Sequence, residues 1–200
     1  MAMTIDPSQA YKHFDRLYQA GGWDGMGSGP GSDPNANTAY LGMLSAVLDT
    51  PGVTTVLDIG CGDWQLMSRI RLEHLHYTGW DVAGTVIERN RQRFGSHRVM
   101  FEVRNPLFDA LPEADVVIMK DVLQHMPTAH VQQILSLVIP RCRWMLITND
   151  HTLENGPDVP VGGYRRLNVL RAPFNISGLI VVAPTADVYG KFTVLAPGGA

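Results

Sequence analysis

Residues 56–64, Val56-Leu57-Asp58-Ile59-Gly60-Cys61-Gly62-Asp63-Trp64, set a carboxylate inside an apolar run and two glycines directly after it. A second carboxylate, Asp81, follows about 20 residues after the glycines, a spacing known from dinucleotide-binding folds. Two ligand classes suit that outline. A dinucleotide wants a third glycine where this chain has Gln65, and Asp58 would put negative charge beside a pyrophosphate. A ligand carrying an ammonium, a sulfonium and a ribose but no phosphate gains from acidic groups at both places, while glycines admit close backbone approach.

Further along, His125 closes the run Lys120-Asp121-Val122-Leu123-Gln124-His125 and reads either as a core histidine satisfied by hydrogen bonds or as a general base. His151, beside Asn149 and Asp150, is the second candidate base, against a plain surface-loop reading. In Gly162-Gly163-Tyr164-Arg165-Arg166, a guanidinium is suited to hold a carboxylate or phosphate bidentately, or to form a structural ion pair. The thiol of Cys61 reads as a small packing group, because no base stands near it in sequence. Arg89, Arg91 and Arg93 point to different faces of a helix, and their ordinary meaning is solvation.

The elements that must position these residues follow from hydrophobic periodicity. Apolar, β-branched runs predict strands at 54–60, 76–82, 99–105, 114–122 and 143–150, and a closing strand pair at 178–184 and 192–197. Between them, helices are expected around Leu66 and Ile70, from Val86 to Phe94, and from Val131 to Val138, where Pro140 ends the stripe. Tyr11, Phe14, Leu17 and Tyr18 predict an amphipathic helix after Asp6-Pro7-Ser8, and Leu41, Leu44 and Leu48 another. Strands alternating with helices, several apolar enough for burial on both faces, predict an α/β fold with a doubly wound, mostly parallel sheet. Ligands of such sheets bind beyond the C-terminal strand ends.

With 200 residues, 45% hydrophobic and 18% charged, the chain suits one compact domain and excludes a disordered charged tail. Sixteen Lys and Arg against nineteen Asp and Glu give a net charge of −3, so no general attraction draws it to nucleic acid. Two distant cysteines imply neither a disulfide framework nor a metal cluster, and a reduced, cytoplasmic setting is expected. No apolar run approaches the roughly 18 residues of a membrane span.

In D-x-G-C-G-D-W the chain resembles the class I S-adenosylmethionine-dependent methyltransferases of small-molecule type. Residues 27–32, Tyr77-Thr78-Gly79-Trp80-Asp81, the run ending in His125 and Gly162-Gly163-Tyr164-Arg165 carry the same resemblance over nearly the whole chain. It implies a Rossmann-like, seven-stranded sheet with helices on both faces, a core over 51–200 and an N-terminal lid over 1–50. It implies S-adenosylmethionine as cofactor, with no metal, and transfer of a methyl group to an oxygen or nitrogen of a small metabolite. RNA or protein methylation, or a non-catalytic cofactor-binding module, stand as alternatives.

The resemblance also implies roles. Asp58 and the backbone of Gly60, Cys61 and Gly62 line the methionine side of the cofactor, with Lys120 and Asp121 near it. Asp81 takes the ribose hydroxyls beside Val82, and Asn105 and Pro106 flank the adenine. Trp64 replaces the usual last glycine and is expected, with Trp23, His125, Asn149, Tyr164 and Arg165, to face the methyl acceptor.

Overall fold

A computed structural model describes residues 7–182 and 190–200. Helix α1 (Pro7–Gln19) and helix α2 (Thr38–Leu48) precede strand β1 (Thr55–Ile59). Then come β2 (His76–Asp81), α3 (Gly84–Phe94), β3 (Val99–Val103), β4 (Ala114–Lys120), α4 (Thr128–Val138), β5 (Cys142–Asp150), β6 (Leu179–Val182) and β7 (Lys191–Pro197). Among the described residues these strands form one seven-stranded sheet in the order β3-β2-β1-β4-β5-β7-β6. The first five strands are parallel, whereas β7 runs antiparallel to both β5 and β6.

Alternation along each strand sends side chains into two cores. Leu57, Ile59, Val117, Met119, Met145 and Ile147 face α4, whose Val131, Ile134, Leu135 and Val138 all lie on the buried stripe. Val56, Val116, Ile118 and Leu146 face the opposite layer, built from α2, α3 and the segment after β1. Both faces of the central strands are thereby dry, as their continuous apolar runs require. The sheet order reverses between β1 and β4, so the ends of these two strands open the crevice where such folds bind ligands.

Strand limits follow local geometry. The strand expected at 54–60 ends at Ile59 because Gly60 turns to φ +75°. That expected at 114–122 ends at Lys120 because Asp121 enters the left-handed region at φ +59°. Residues 183 and 184 of the expected run 178–184, and Asp6 before the first helix, lie outside the described residues.

The helix expected around Leu66 and Ile70 does not form. Residues Met67–Arg69 make a single 3₁₀ turn, and the rest of the connection to β2 is irregular. The physical reason sits at Trp64. Its backbone adopts φ +63°, which no helix tolerates, and its indole packs against Phe94 (4.7 Å), Phe101 (5.3 Å) and Tyr77 (5.6 Å) between ring centroids. At the other end Ile70 is already extended, at φ −98° and ψ 141°, so only one turn fits between them. Trp64→Ala is therefore expected to destabilise the fold by about 3–5 kcal/mol in urea unfolding, and a cost under about 1 kcal/mol would contradict this packing role.

Candidate active site

Gly60 makes the turn that builds the site. Its N–H and that of Cys61 both donate to the Trp80 carbonyl, at 2.7 and 2.9 Å, which folds the end of β1 onto β2. A Cβ at position 60 would collide with the Val122 side chain, and one at Gly62 with the Ser28 hydroxyl, so both glycines are required by close approach as well as by positive φ. Asn90, on α3, donates its amide to the Gly62 carbonyl at 2.7 Å and holds the loop from behind.

Two buried carboxylates flank this turn. Asp58 is 5% exposed and accepts the Tyr77 hydroxyl at 2.7 Å. Burial pushes its carboxyl up to about 7; Asp81 adds to the rise, while Tyr77 and Lys120 oppose it. Asp81 accepts from the Gly62 N–H at 3.1 Å and the Ala83 N–H at 2.9 Å. Burial lifts its carboxyl to about 6 against those bonds. The Val82 N–H also bears on this carboxylate, and its two oxygens, with about four lone-pair sites between them, keep room for further donors.

Both carboxylates open on a cavity of about 380 Å³ at the C-terminal edge of β1, β2 and β4. Gly60, Cys61, Gly62, Val82, Pro106, Lys120, Asp121, Trp23, His125 and Tyr164, all expected from sequence, line it. The N-terminal segment closes one side. Ser28 exchanges bonds with Asp63, N–H to carboxylate at 3.0 Å and hydroxyl from the Asp63 N–H at 2.8 Å. Tyr18 and Ser28 pair at 2.9 Å, Lys120 donates to the Gly31 carbonyl at 2.7 Å, and Asp15 of α1 accepts the Thr85 N–H at the start of α3 at 2.8 Å.

His125 stands opposite the glycine turn. The Gly163 carbonyl, 2.9 Å from Nδ1, makes Nδ1 the protonated nitrogen and leaves Nε2 as an acceptor. Burial lowers its pKa, so the imidazole is neutral near pH 7. Its ring lies between Trp23, 6.3 Å away, and Tyr164, 5.9 Å away.

Three expectations, at Asn105, Asn149 and Arg165, are corrected. Asn105 does not border the cavity: its Oδ1 accepts the Leu107 N–H at 3.0 Å and caps the turn after β3, while Arg104 and Pro106 reach the cavity instead. Asn149 points to the α4 side of the sheet, opposite Phe192, and is 1% exposed. Adjacent strand residues face opposite ways, which is why Asp150, and not Asn149, lines the cavity. Arg165 is a structural ion pair: it bonds Asp158 and the Thr128 hydroxyl at 2.8 Å each and the Met126 carbonyl at 3.0 Å, away from the cavity. Trp64 borders the cavity from within the aromatic cluster, where its ring is already packed. The His151 ring lies edge-on to Phe192 at 5.2 Å and does not line the cavity.

Sequence reasoning missed an ionic network on the same wall. Lys191, at the start of β7, donates to Asp121 and Asp150 at 2.7 Å each, Lys120 donates to Asp121 at 2.6 Å, and the Tyr164 hydroxyl donates to Asp150 at 2.6 Å. Burial disfavours the charges of Asp121 and Lys191, but their mutual attraction outweighs it, holding the carboxyl low and the ammonium high. The position of Lys191 at a strand start carried no signal of this.

Residues 57–143 match the family described as methyltransferase domain. An uncharacterized methyltransferase of Mycobacterium tuberculosis is 31% identical over 93 residues, 46% of this chain. The match spans about half, 47%, of that relative's length. The N-methyltransferase NodS of Bradyrhizobium japonicum, in complex with S-adenosyl-L-homocysteine, superposes with TM-score 0.68 at 13% identity, covering 96% of this chain and 99% of that one. Magnesium protoporphyrin IX methyltransferase of Synechocystis, with bound S-adenosylmethionine, gives 0.62 at 14% identity, over 99% and 100% of the two chains. The likeness shows a Rossmann-like fold, a seven-stranded, mostly parallel sheet with helices, of the kind these two structures have. Among the described residues no helix is long and apolar enough to cross a membrane.

The raised carboxyl of Asp58 has a consequence for stability. A carboxyl whose folded pKa lies above its unfolded value binds protons more tightly when folded, so its contribution to stability is greatest at low pH and is lost as pH rises from about 4 through about 7. Asp58→Asn is expected to raise the stability of the ligand-free protein by about 1–2 kcal/mol at pH 8 and to leave it nearly unchanged at pH 4. Urea unfolding at the two pH values checks the sign; equal effects at both would contradict it.

Proposed function

We propose that this protein is an S-adenosylmethionine-dependent methyltransferase that transfers the methyl group to an oxygen or nitrogen of a small molecule. The observation that carries this reading is the pair of buried carboxylates, Asp58 and Asp81, set on either side of the Gly60–Gly62 turn and opening on one cavity. Burying two carboxylates beside each other is unfavourable unless a ligand supplies positive charge and hydroxyl donors. The cofactor offers both and carries no phosphate for Asp58 to repel.

The donor set fits that ligand. Asp58 is placed to pair with the ammonium, and Asp81, anchored by Gly62 and Ala83, to accept from the ribose hydroxyls. Gly60 and Gly62 admit the backbone to the ligand, with Lys120 and Asp121 at the methionine end. Val82 and Pro106 supply the apolar sides of the base pocket, a task in which Asn105 takes no part. The N-terminal segment acts as a cap, fastened through Ser28 to Asp63 and through Gly31 to Lys120.

When bound, the cofactor supplies a methyl group on a positively charged sulfur. The chain's own contribution is to hold the acceptor in line with that methyl and to exclude water, from which most of the rate derives. His125 serves as general base: Nε2 takes the proton from the acceptor O–H or N–H as the new bond to carbon forms, while the Gly163 carbonyl holds the ring. The lowered pKa keeps this nitrogen unprotonated near neutrality.

Calorimetric titration with S-adenosylhomocysteine tests the cofactor. Micromolar binding is expected, weakened at least about tenfold in Asp81→Ala. It should also weaken as pH falls below about 7, because a protonated Asp58 no longer pairs with the ammonium. Failure to bind at any pH would overturn the reading. His125→Ala should lower turnover by about 10²-fold or more with S-adenosylhomocysteine affinity unchanged, and near-normal turnover would remove the base role.

A further inference from the structure

His125 is held by a loop, and that loop is held by an arginine that does not line the cavity. Residues 162–165 run beside residues 124–126. The Gly162 N–H donates to the His125 carbonyl at 2.9 Å, Nδ1 of His125 donates to the Gly163 carbonyl at 2.9 Å, and the Arg165 N–H donates to the Gln124 carbonyl at 3.1 Å. Gln124, 3% exposed, accepts the Asp150 N–H at 3.0 Å, which fixes this strip to the end of β5. Gly163 is placed by the turn before it, where its own N–H donates to the Pro160 carbonyl at 2.9 Å. At the foot of that turn Asp158 accepts the Val159 N–H at 2.9 Å and, across the loop, the Thr128 N–H that opens α4, at 2.7 Å.

One guanidinium joins these parts. Arg165 donates from Nη1 to the Asp158 carboxylate and the Thr128 hydroxyl, and from Nη2 to the carbonyl of Met126, the residue after His125. As a stabilising ion pair the arrangement is poor. The Arg165 side chain is 7% exposed whereas that of Asp158 is 55% exposed, and Nε is buried with no hydrogen-bond partner among the described residues. A guanidinium buried against one exposed carboxylate, with an N–H left unpaired, contributes little net stability. What it does fix is where the Gly163 carbonyl stands relative to the imidazole. That carbonyl decides which ring nitrogen is bare, because a neutral histidine in water favours the proton on Nε2 and an acceptor at Nδ1 draws it across. Among the described residues Nε2 has no hydrogen-bond partner of its own, and Asp121, Asp150 and Lys191 act on the ring through charge. The tautomer therefore depends on Gly163.

We propose that Arg165 is a positioning residue for methyl transfer: by tying Asp158, Thr128 and Met126 together it seats the Gly163 carbonyl on Nδ1 of His125 and keeps Nε2 the nitrogen that takes the acceptor's proton. The inference rests on the base role given to His125 above and names the residue on which that role depends. As the acceptor O–H or N–H breaks, its proton passes to Nε2 and its electron pair forms the bond to the methyl carbon. The sulfur keeps the pair of the bond that is broken, and Nδ1 keeps its proton throughout. With the Gly163 carbonyl displaced, the ring reverts toward the Nε2–H form and meets the acceptor with a proton in place of a lone pair.

Nitrogen-15 NMR of the ligand-free full chain at about pH 8, where the ring is neutral, tests this directly, because protonated and bare ring nitrogens resonate far apart. The signals of His125 are those lost in His125→Gln. The wild-type ring is expected to carry its proton on Nδ1. Arg165→Met fills the buried position with an apolar side chain and leaves Asp158 in water, and it should lower the Nδ1–H to Nε2–H ratio at least about fivefold, the worth of one hydrogen bond. Arg165→Lys keeps the charge beside Asp158, and therefore the fold, but loses the planar fork, and an intermediate ratio is expected. Affinity for S-adenosylhomocysteine should stay unchanged in both. A merely structural arginine would lower stability to urea and leave the tautomer alone. A wild-type proton on Nε2, or a ratio unmoved in the folded variants, would overturn the proposal. Because the tautomer is read without cofactor, a failure here is told apart from failure of the methyltransferase reading, which would show as no binding of S-adenosylhomocysteine to the wild type.

Discussion

A carboxylate at the end of a strand buried on both faces is the constraint around which this molecule is arranged. Asp58 sits where β1 emerges between β2 and β4, and water cannot reach it from either side of the sheet. Its charge must be met by something at the open edge, because both cores on the flanks are apolar. The protein supplies one hydroxyl, from Tyr77, and a more distant ammonium, from Lys120. The remaining deficit faces the cavity. Sheet topology therefore converts an unfavourable burial into a binding site, since the same parallel packing that dehydrates Asp58 also leaves the C-terminal strand ends open.

The turn after β1 shows how tightly local geometry is coupled to that site. Gly60 must leave the strand at positive φ so that two successive N–H groups can reach the Trp80 carbonyl, and Val122 lies too close for any side chain there. The chain then makes only a single 3₁₀ turn, bounded by Trp64 at positive φ, its indole packed on Phe94 and Phe101, and by the extended Ile70. Ser28 and Gln65 fasten the exposed side of this loop: Gln65 donates to the Met26 carbonyl at 3.1 Å and to Asp63 at 2.7 Å. The N-terminal segment is thus bonded to the turn itself, which ties the cap and the glycine motif into one piece of structure.

On the other side of the cavity the organising principle is compensation. Asp121, forced into the left-handed region by the reversal after β4, reaches two lysines at once. Lys191 then bridges to Asp150, and Asp150 orients Tyr164. Each link is short and poorly hydrated, so its electrostatic strength exceeds that of a surface pair and its cost of disruption is correspondingly high. The two halves of the cavity differ in character: a half around the buried Asp58 and Asp81, and an aromatic half around His125, Trp23 and Tyr164.

Sequence by itself determined the apolar runs that become strands, the glycine turn, the two carboxylates and the histidine, because each is written in a few consecutive residues with a known backbone requirement. It also predicted a helix after β1, wrongly, since the stripe of Leu66 and Ile70 gives no hint that Trp64 turns to positive φ and Ile70 to an extended backbone. What only the tertiary structure decided is which charged and polar groups meet. Lys191 lies 70 residues from Asp121 and 41 from Asp150, and Arg165 finds Thr128 37 residues away. Asn149 and Asp150 are neighbours with opposite fates, one facing α4 and the other the cavity, because a strand alternates its faces and only the sheet tells which face is which. Periodicity is a local property of the chain, whereas charge compensation is a property of the assembled edge.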